Sequence, residues 1–516
     1  MRTMVTVKPV GRINRRDLPH LIGDTEVLSR ENMMVIGNGD DKRNRKVSGA
    51  DRFSDTDTGT SYIWGHRMYM KGEQRKTFAF NSGIIYHISD NGVETSAQTG
   101  FISNPHTSPC SEVMRVSGND ILFFSEGVDT GMYSHDGNIE NTFTKETGVS
   151  LNFVGMLSHL DRMFGFEEDS EDLYFSKNLD PVNFTDATDA GVISIGAKRG
   201  SKIMAIALLY GTIYIFKQDS IWRLTGRTPS EFAVEEVHPY LGCAGRRSVA
   251  NTDNGIIFLG SDFEFYFFGG TIANTIILSY KLAIGGDLTK NLESIINKNK
   301  PENVVAIYHN KLYRCSFTET GHVTNNLEYC FNTVNETDFL TRGFNISCYI
   351  KWDRHPDKDE LLTGRTDLGR LMKHNLGLNL DNGASSPSML FKLQTKFIGS
   401  SELRNTRFKR AYINFGVLGA EKLRMYYFLD CRNAREDAVS DQWVTRGETK
   451  ALSPTLSISA QSAISSRINL QYGNSKGQNI SFMIDHEGRD IDLEIASISV
   501  EAITKSTPKL SEKVGV

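Results

Sequence analysis

The side chains able to do chemistry fall into a few groups. Carboxylates crowd at Glu167, Glu168, Asp169, Glu171 and Asp172, and again at Asp353, Asp357, Asp359 and Glu360. Two carboxyl groups facing one glycosidic bond can hydrolyse it, one as acid and the other as base or nucleophile. Both clusters fall in hairpin loops, where solvated charge is the ordinary state, so neither is assigned as a catalytic pair. Asp55, Asp57 and Gly59 lie close enough together to suggest a calcium loop. The glycine is displaced from the EF-hand position, however, and no glutamate closes the loop at the required distance. The 12 histidines show no metal-ligand spacing; His309 and His374 stand at the ends of apolar runs and read as loop or rim residues. A phosphate-cradling glycine loop, a dinucleotide fingerprint and a nucleophile elbow are all missing from the sequence. The expectation is therefore no catalytic, cofactor-binding or metal-binding residue, and no enzyme.

Composition narrows the partners. Over 516 residues, 58 Lys+Arg face 62 Asp+Glu for a net charge of -4, which excludes a protein that grips nucleic acid with massed cations. One basic stretch, Arg404, Arg407, Lys409 and Arg410, precedes Tyr412 and Phe415 and invites a nucleic-acid reading. Glu402 and Glu421 dilute it, so a solvated strand face is preferred. Trp64, Trp222, Trp352 and Trp443 are too scattered for a carbohydrate-stacking platform. The run 54–60 approaches the Ser-x-Asp-x-Gly box of sialidases, but Asp55 stands where the serine belongs and the run occurs once. Cys110, Cys243, Cys315, Cys330, Cys348 and Cys431 contain no C-x-x-C pair and lack the density of a secreted disulfide scaffold. The longest apolar run, 203–216, is interrupted by Gly211 and Thr212 and falls short of the ~18 residues of a membrane-spanning helix. Residues 1–5 lack a signal-peptide core, so synthesis in a reducing cytoplasm is expected.

The elements that must position any site are strands. Residues 1–76 are polar and glycine-punctuated and read as an extended, irregular arm lying on something else. From 77 onward, apolar strands and tight polar turns recur as seven similar hairpins, marked by Ile84, Ile121, Met163, Ile213, Ile256, Leu312 and Leu361, at intervals of 37 to 56 residues. Such intervals with several strands each are the mark of β-propeller blades. Runs such as 213–216 are apolar at successive positions, so both of their faces must be buried. A β-sandwich is the structural rival, since turn-punctuated strands suit it too. One helix is expected over 287–299, with Asp287 as N-cap and Leu288, Leu292, Ile295 and Ile296 on one face. The turn-rich run 381–387 ends the propeller at 387. Beyond it, 388–505 alternates apolar and polar residues as an antiparallel, sandwich-like β-domain with one wet face, and 506–516 reads as a frayed tail. The fold class is all-β throughout.

The order of features resembles one family. The arm segments 17–24 and 28–35, a basic stretch and Gly49 resemble the opening of tailed-phage structural proteins. The runs 208–224, Cys243-Ala-Gly and 253–266 are similar to the propeller core of podovirus-type tail nozzle and tail-hub proteins, a group that includes packaged-DNA stabilisation and tail tubular proteins. The run 361–371, followed after a linker by Arg407-Phe-Lys-Arg-Ala-Tyr-Ile413, continues the likeness. The resemblance implies a virion component, typically six copies in a ring (a hexamer) below the portal and adaptor proteins, that continues the DNA channel. It also implies retention of the packaged double-stranded genome and passage of DNA on ejection; members of the family differ in whether they form the tail tip, carry attachment points for tail fibres or stabilise the packaged DNA. No catalytic residue or cofactor belongs to the family pattern. Two alternatives stand beside it: a glycan-acting propeller, which needs convergent carboxylates at the axial face, and a receptor-binding propeller, which needs an aromatic patch.

Overall fold

A computed structural model describes residues 2–504 except 14–24, 38–40, 48–49, 55–59, 70–74, 102–108, 129–130, 139–141, 197–199, 271–272, 276–294, 356–357, 375–388, 400–405, 419–422, 430–449, 453–463, 470–475, 478 and 489–492. The chain is all-β, and seven four-stranded antiparallel blades follow one another around a ring. Their innermost strands are Trp64–Tyr69, Cys110–Val116, Phe153–His159, Ile203–Leu209, Ala250–Asn251, Val305–His309 and Ile346–His355. Each packs beside the next, and the seventh meets the first.

The reason for the apolar runs is visible side chain by side chain. In Thr212–Lys217, the second strand of blade 4, Ile213 and Ile215 enter a core shared with blade 3, while Tyr214 and Phe216 enter one shared with blade 5. Ile256 and Phe258 likewise face blade 4, and Ile257 and Leu259 face blade 6. Every pair of neighbouring blades has such a core, down to the one in which Tyr62 and Ala79 of blade 1 meet Ile350 and Trp352 of blade 7. Buried apolar area on both faces of each blade therefore closes the ring. Each marker of the seven expected hairpins falls in a different blade, Ile84 in a third strand and the rest in second strands.

Ring closure is made by the N-terminal segment. Ala50–Arg52 pairs antiparallel with Leu371–His374 and supplies the fourth strand of blade 7. The described N-terminal strands thus pair within their own chain, where the sequence pattern predicts an irregular arm lying on something else. Arg2–Val7 pairs with Leu493–Thr504, Met33–Ile36 pairs with Arg43–Lys46, and that hairpin joins the same C-terminal strand. The expected boundary at 77 also shifts, because Trp64–Tyr69 is the innermost strand of blade 1 and pairs with Arg75–Asn81.

The C-terminal body is two sheets on one core. One runs through Arg43–Lys46, Leu493–Thr504, Thr406–Leu418 and Ile464–Asn469. The other continues blade 6: its outer strand Thr337–Arg342 meets Val27–Glu31 in parallel, and the sheet passes on through Met389–Thr395 and Asn479–Gly488. Phe391, Leu393, Phe482 and Ile484 of one sheet pack on Ile413, Ile498, Val500 and Val7 of the other. The junction is fastened by buried Arg30, which donates to Asn44 Oδ1 at 2.8 Å, the Asp338 carbonyl at 3.0 Å and the Pro9 carbonyl at 2.9 Å. The linker 381–387, the tail 506–516 and most of the helix expected over 287–299 lie outside the described residues. Ile295 and Ile296 are buried between blades 5 and 6.

Candidate functional site

In an antiparallel four-stranded blade, the start of the inner strand, the turn between second and third strands, and the connection to the next blade emerge at one end. At that convergent end the connection from blade 4 to blade 5 folds inward over the propeller axis. Gly242 permits this, since a Cβ there would sit 2.3 Å from the Gln218 and Asp219 backbone; at Gly245 it would lie 2.9 Å from Val304. Buried Cys243 donates its thiol to the Gly245 carbonyl at 3.1 Å. Two arginines follow. Arg247 donates to the Ile63 carbonyl at 2.7 Å and the Glu302 carbonyl at 3.3 Å, so one side chain from blade 5 ties together the entrances of blades 1 and 6. Blades 5 and 1 are not neighbours, and the link crosses the axis. Burial pushes the Arg247 guanidinium down to about 10.

Arg246 turns the other way and grips Glu168 with two hydrogen bonds of 2.6 and 2.7 Å. Lys202 adds an ion pair to Asp169 at 2.6 Å and lies 3.6 Å from Glu168. Lys217 lies 3.7 Å from Glu171 and donates to the Ile195 carbonyl. Three carboxylates of the first cluster singled out in the sequence, Glu168, Asp169 and Glu171, are therefore gathered at the convergent end and held by cations. The Arg246 hydrogen bonds, working against partial burial, keep the Glu168 carboxyl below its usual range, the opposite of what a glycosidase acid needs. Glu112 on the inner strand of blade 2 is shifted upward by burial, with the Ser158 hydroxyl donating to it at 2.7 Å. Burial also raises the Cys110 thiol, which leaves it a poor nucleophile.

Beside these residues a cleft of about 840 Å³ opens between the entrances of blades 4, 5 and 6. Lys202 and Lys298, Tyr240 and Phe263, and Gln218 and Ser261 line it in like pairs. Tyr240 is 87% exposed. Phe263 has a left-handed backbone (φ 64°), where an aromatic residue costs about 1–2 kcal/mol and glycine would cost nothing. Its ring lies 5.7 Å beneath the Lys298 ammonium. At the opposite end a smaller cleft, about 500 Å³, is lined by Asp253, Tyr308, Lys311 and Arg12. There Tyr308 and Lys311 both donate to Asp253, and Arg12 pairs with Glu336 at 3.0 Å.

Other residues flagged from sequence are dispersed. Of the second acidic cluster, Glu360 pairs with Lys373 at 2.5 Å on blade 7. His309 and His374 end strands as expected but are buried (5% and 2% exposed), not at an open rim. His374 hydrogen-bonds Thr363 and stacks on Phe344, and burial, helped by Arg314, pushes it down to about 3. Arg407, Lys409 and Arg410 are half-buried on a sandwich strand, and Arg410 lies 3.3 Å from Glu501. Asp55, Asp57, Gly59, Arg404, Cys431 and Trp443 lie outside the described residues. The other five cysteines are free, and no group of three metal-ligating side chains occurs among the described residues. No helix among them is long and apolar enough to cross a membrane. The axial role of Arg247 and the cleft were not read from the sequence. The Cys243-Ala-Gly run, with two arginines directly after it, was the available signal.

No protein-family model matches the chain, and no curated protein does. Solved structures resemble it only distantly. The computationally designed Ika8 protein is 8% identical, with 66% of this chain and 95% of that one covered and a TM-score of 0.35. An inactive virginiamycin B lyase from Staphylococcus aureus is 12% identical (63% and 98% covered, TM-score 0.35). An exo-β-1,3-galactanase from Phanerochaete chrysosporium is 10% identical (89% and 100% covered, TM-score 0.27). Likeness at this level carries no argument about activity.

Proposed function

We propose that this chain is a structural, non-enzymatic protein of a tailed-phage virion, of the tail nozzle or tail-hub kind. Several copies, six by the family resemblance, form a ring below the portal and adaptor, made in the host cytoplasm and resident in the tail. The observation that carries this reading is the way the sandwich is built into the propeller: Arg2–Val7 pairs with Leu493–Thr504, and the sheet of blade 6 runs without a break into the sandwich. A ring that retains a packaged genome needs subunits whose domains cannot swing apart, and a shared sheet with a common core supplies that. The carboxylates at the convergent end, being neutralised by Arg246, Lys202 and Lys217, suit architecture better than acid–base work. DNA passes through the hole of the assembled ring and not along the propeller axis, which Arg247 bridges. With a net charge of -4 the ring lets DNA slide, and retention comes from a constriction or plug.

Negative-stain electron microscopy of the purified protein, alone and mixed with adaptor rings, tests the proposal. Rings with a hole wide enough for duplex DNA are expected. A monomer or two-fold dimer with no axial hole, with and without adaptor, refutes it.

A further inference from the structure

We propose that neighbouring copies of this chain meet through blades 2 to 4 of one and the C-terminal sandwich of the next, an assignment that rests on the ring reading and names its subunit contact. The charge of the chain is divided between two places. Residues 110–238, which form blades 2 to 4, hold 10 Lys+Arg against 20 Asp+Glu, a net of -10. Residues 1–59 and 375–516, which include the sandwich strands and the outer strand of blade 7, hold 29 against 24, a net of +5. The remaining blades are close to neutral, at 19 against 18. Topology sets the two charged regions apart. The sandwich is joined to the propeller at blade 6, through the shared sheet, and at blade 7, through Ala50–Arg52. In a ring of seven, blade 3 stands opposite that join. The overall charge of -4 thus conceals a molecule acidic on one side and basic on the other, an asymmetry that speaks to partners and not to fold.

Both regions present a surface. On the acidic side the outer strands Thr144–Lys145, Gly191–Ser194 and Ala233–His238 pair along one edge only among the described residues, whereas the outer strand of blade 6 is covered by Val27–Glu31. Asp136, Asp161, Glu231 and Glu235 are exposed there, and so is Val192, at 53%. On the basic side Arg43, Arg45 and Arg410 are 42, 44 and 39% exposed, on the face turned away from the sandwich core, over Glu494 and Glu501 at 11%. Ion pairs within the chain, such as Arg223 with Glu235 and Arg410 with Glu501, persist in the contact; a neighbour answers the excess of one sign. The arrangement selects the occupant. A two-fold contact sets one patch against itself, acid on acid or base on base, which like charges oppose. A head-to-tail contact sets acid on base, and repeated around an axis it closes a ring in which every sandwich is used. DNA would satisfy the sandwich alone and leave blades 2 to 4 without a counterpart.

Charge reversal in the full chain tests the contact, in whichever preparation forms rings, the protein alone or with adaptor. Glu235→Lys/Glu236→Lys reverses the outer strand of blade 4, and Arg43→Glu/Arg45→Glu reverses the sandwich face. Each variant, melting as the parent does, is expected to associate at least about tenfold more weakly by native mass spectrometry. An equimolar mixture of the two is expected to restore the rings, because the basic blade of one then meets the acidic sandwich of the other. Parent rings should weaken at least about tenfold between about 50 and 500 mM salt. Where a reversed variant melts early, Glu235→Gln/Glu236→Gln or Arg43→Gln/Arg45→Gln takes its place, with an expected loss of about threefold. Variants that form rings as the parent does, a mixture that stays monomeric, or assembly indifferent to salt overturns the contact and leaves the ring standing. A parent that forms no ring in either preparation refutes the ring reading, and the contact falls with it. Rings that form only when duplex DNA is added assign the basic face to nucleic acid and overturn the contact.

Discussion

Between blades 6 and 7 a buried ion pair offers a quantitative test of what keeps the ring closed. Arg314 donates to both oxygens of Glu328 at 2.7 and 2.9 Å, and the Tyr349 and Thr341 hydroxyls complete the carboxylate's shell. Both side chains are nearly inaccessible, at 4% and 2% exposure. Burial works against the charge on Glu328, but Arg314 and the hydrogen bonds outweigh it and hold the carboxyl at about 2. Against an ordinary carboxyl near 4.5, that depression corresponds to about 3 kcal/mol of stability at neutral pH. It is present in full above about pH 4.5 and is lost as pH falls toward 2. Arg314→Met leaves the carboxylate buried with two hydroxyl donors, and the expected loss is about 3–5 kcal/mol at pH 7. The pH dependence should also change sign. Without the guanidinium, burial lifts the Glu328 carboxyl above its unfolded value, so its protonation on going from pH 7 to 5 recovers part of the loss. Urea unfolding followed by tryptophan fluorescence, read at the first transition because a chain of two bodies need not unfold in one step, measures both effects. The double variant Arg314→Met/Glu328→Leu should regain at least half of the deficit. A single variant within about 1 kcal/mol of the parent, or one whose stability falls with acidification as the parent's does, would refute the reasoning.

Three further outcomes are expected. His374 is neutral in the fold, with its pKa down at about 3, while the unfolded chain binds a proton below about 6.5. Stability contributed there is therefore lost as pH falls from 6.5 toward 3, by up to about 1.4 kcal/mol per unit, and His374→Gln should flatten the melting-temperature profile between pH 6.5 and 4. Deleting residues 1–52 removes the fourth strand of blade 7 and the N-terminal strands of the sandwich, and should yield insoluble protein; a soluble, cooperatively melting product would contradict the strand pairings. Duplex DNA should bind weakly between about 50 and 200 mM salt, and sub-micromolar affinity at the higher salt would overturn the sliding channel in favour of a nucleic-acid-binding surface.

The blades were legible in the sequence because each of their middle strands buries two faces, which forces uninterrupted apolar runs such as 213–216. The N-terminal strand Arg43–Lys46 was not, for an equally physical reason. Arg43–Lys46 reads Arg-Asn-Arg-Lys, and its inward residues, Asn44 and Lys46, are buried without being apolar, so neither period nor composition marks a strand. Asn44 is there to meet Arg30 and the Pro9 carbonyl, partners that no local pattern announces. The site shows the same division. The acidic cluster 167–172 was visible as a cluster, but its cations come from 202, 217 and 246. Arg247 was silent because its partners are backbone carbonyls 184 and 55 residues away, and a carbonyl carries no sequence signature.

Pairing Arg2–Val7 with Leu493–Thr504 also has a consequence for biosynthesis. Residues 2–7 leave the ribosome some 490 residues before the strand they pair with, and at roughly 5–20 residues per second that interval is about 25–100 s. Blade 7 waits too, because its outer strand is made some 300 residues before its three companions. Through that interval the nascent chain carries unpaired strand edges that a neighbouring chain on the same message could capture. Yield in a host cell should therefore depend on elongation rate and chaperone supply more than on the stability of the finished fold.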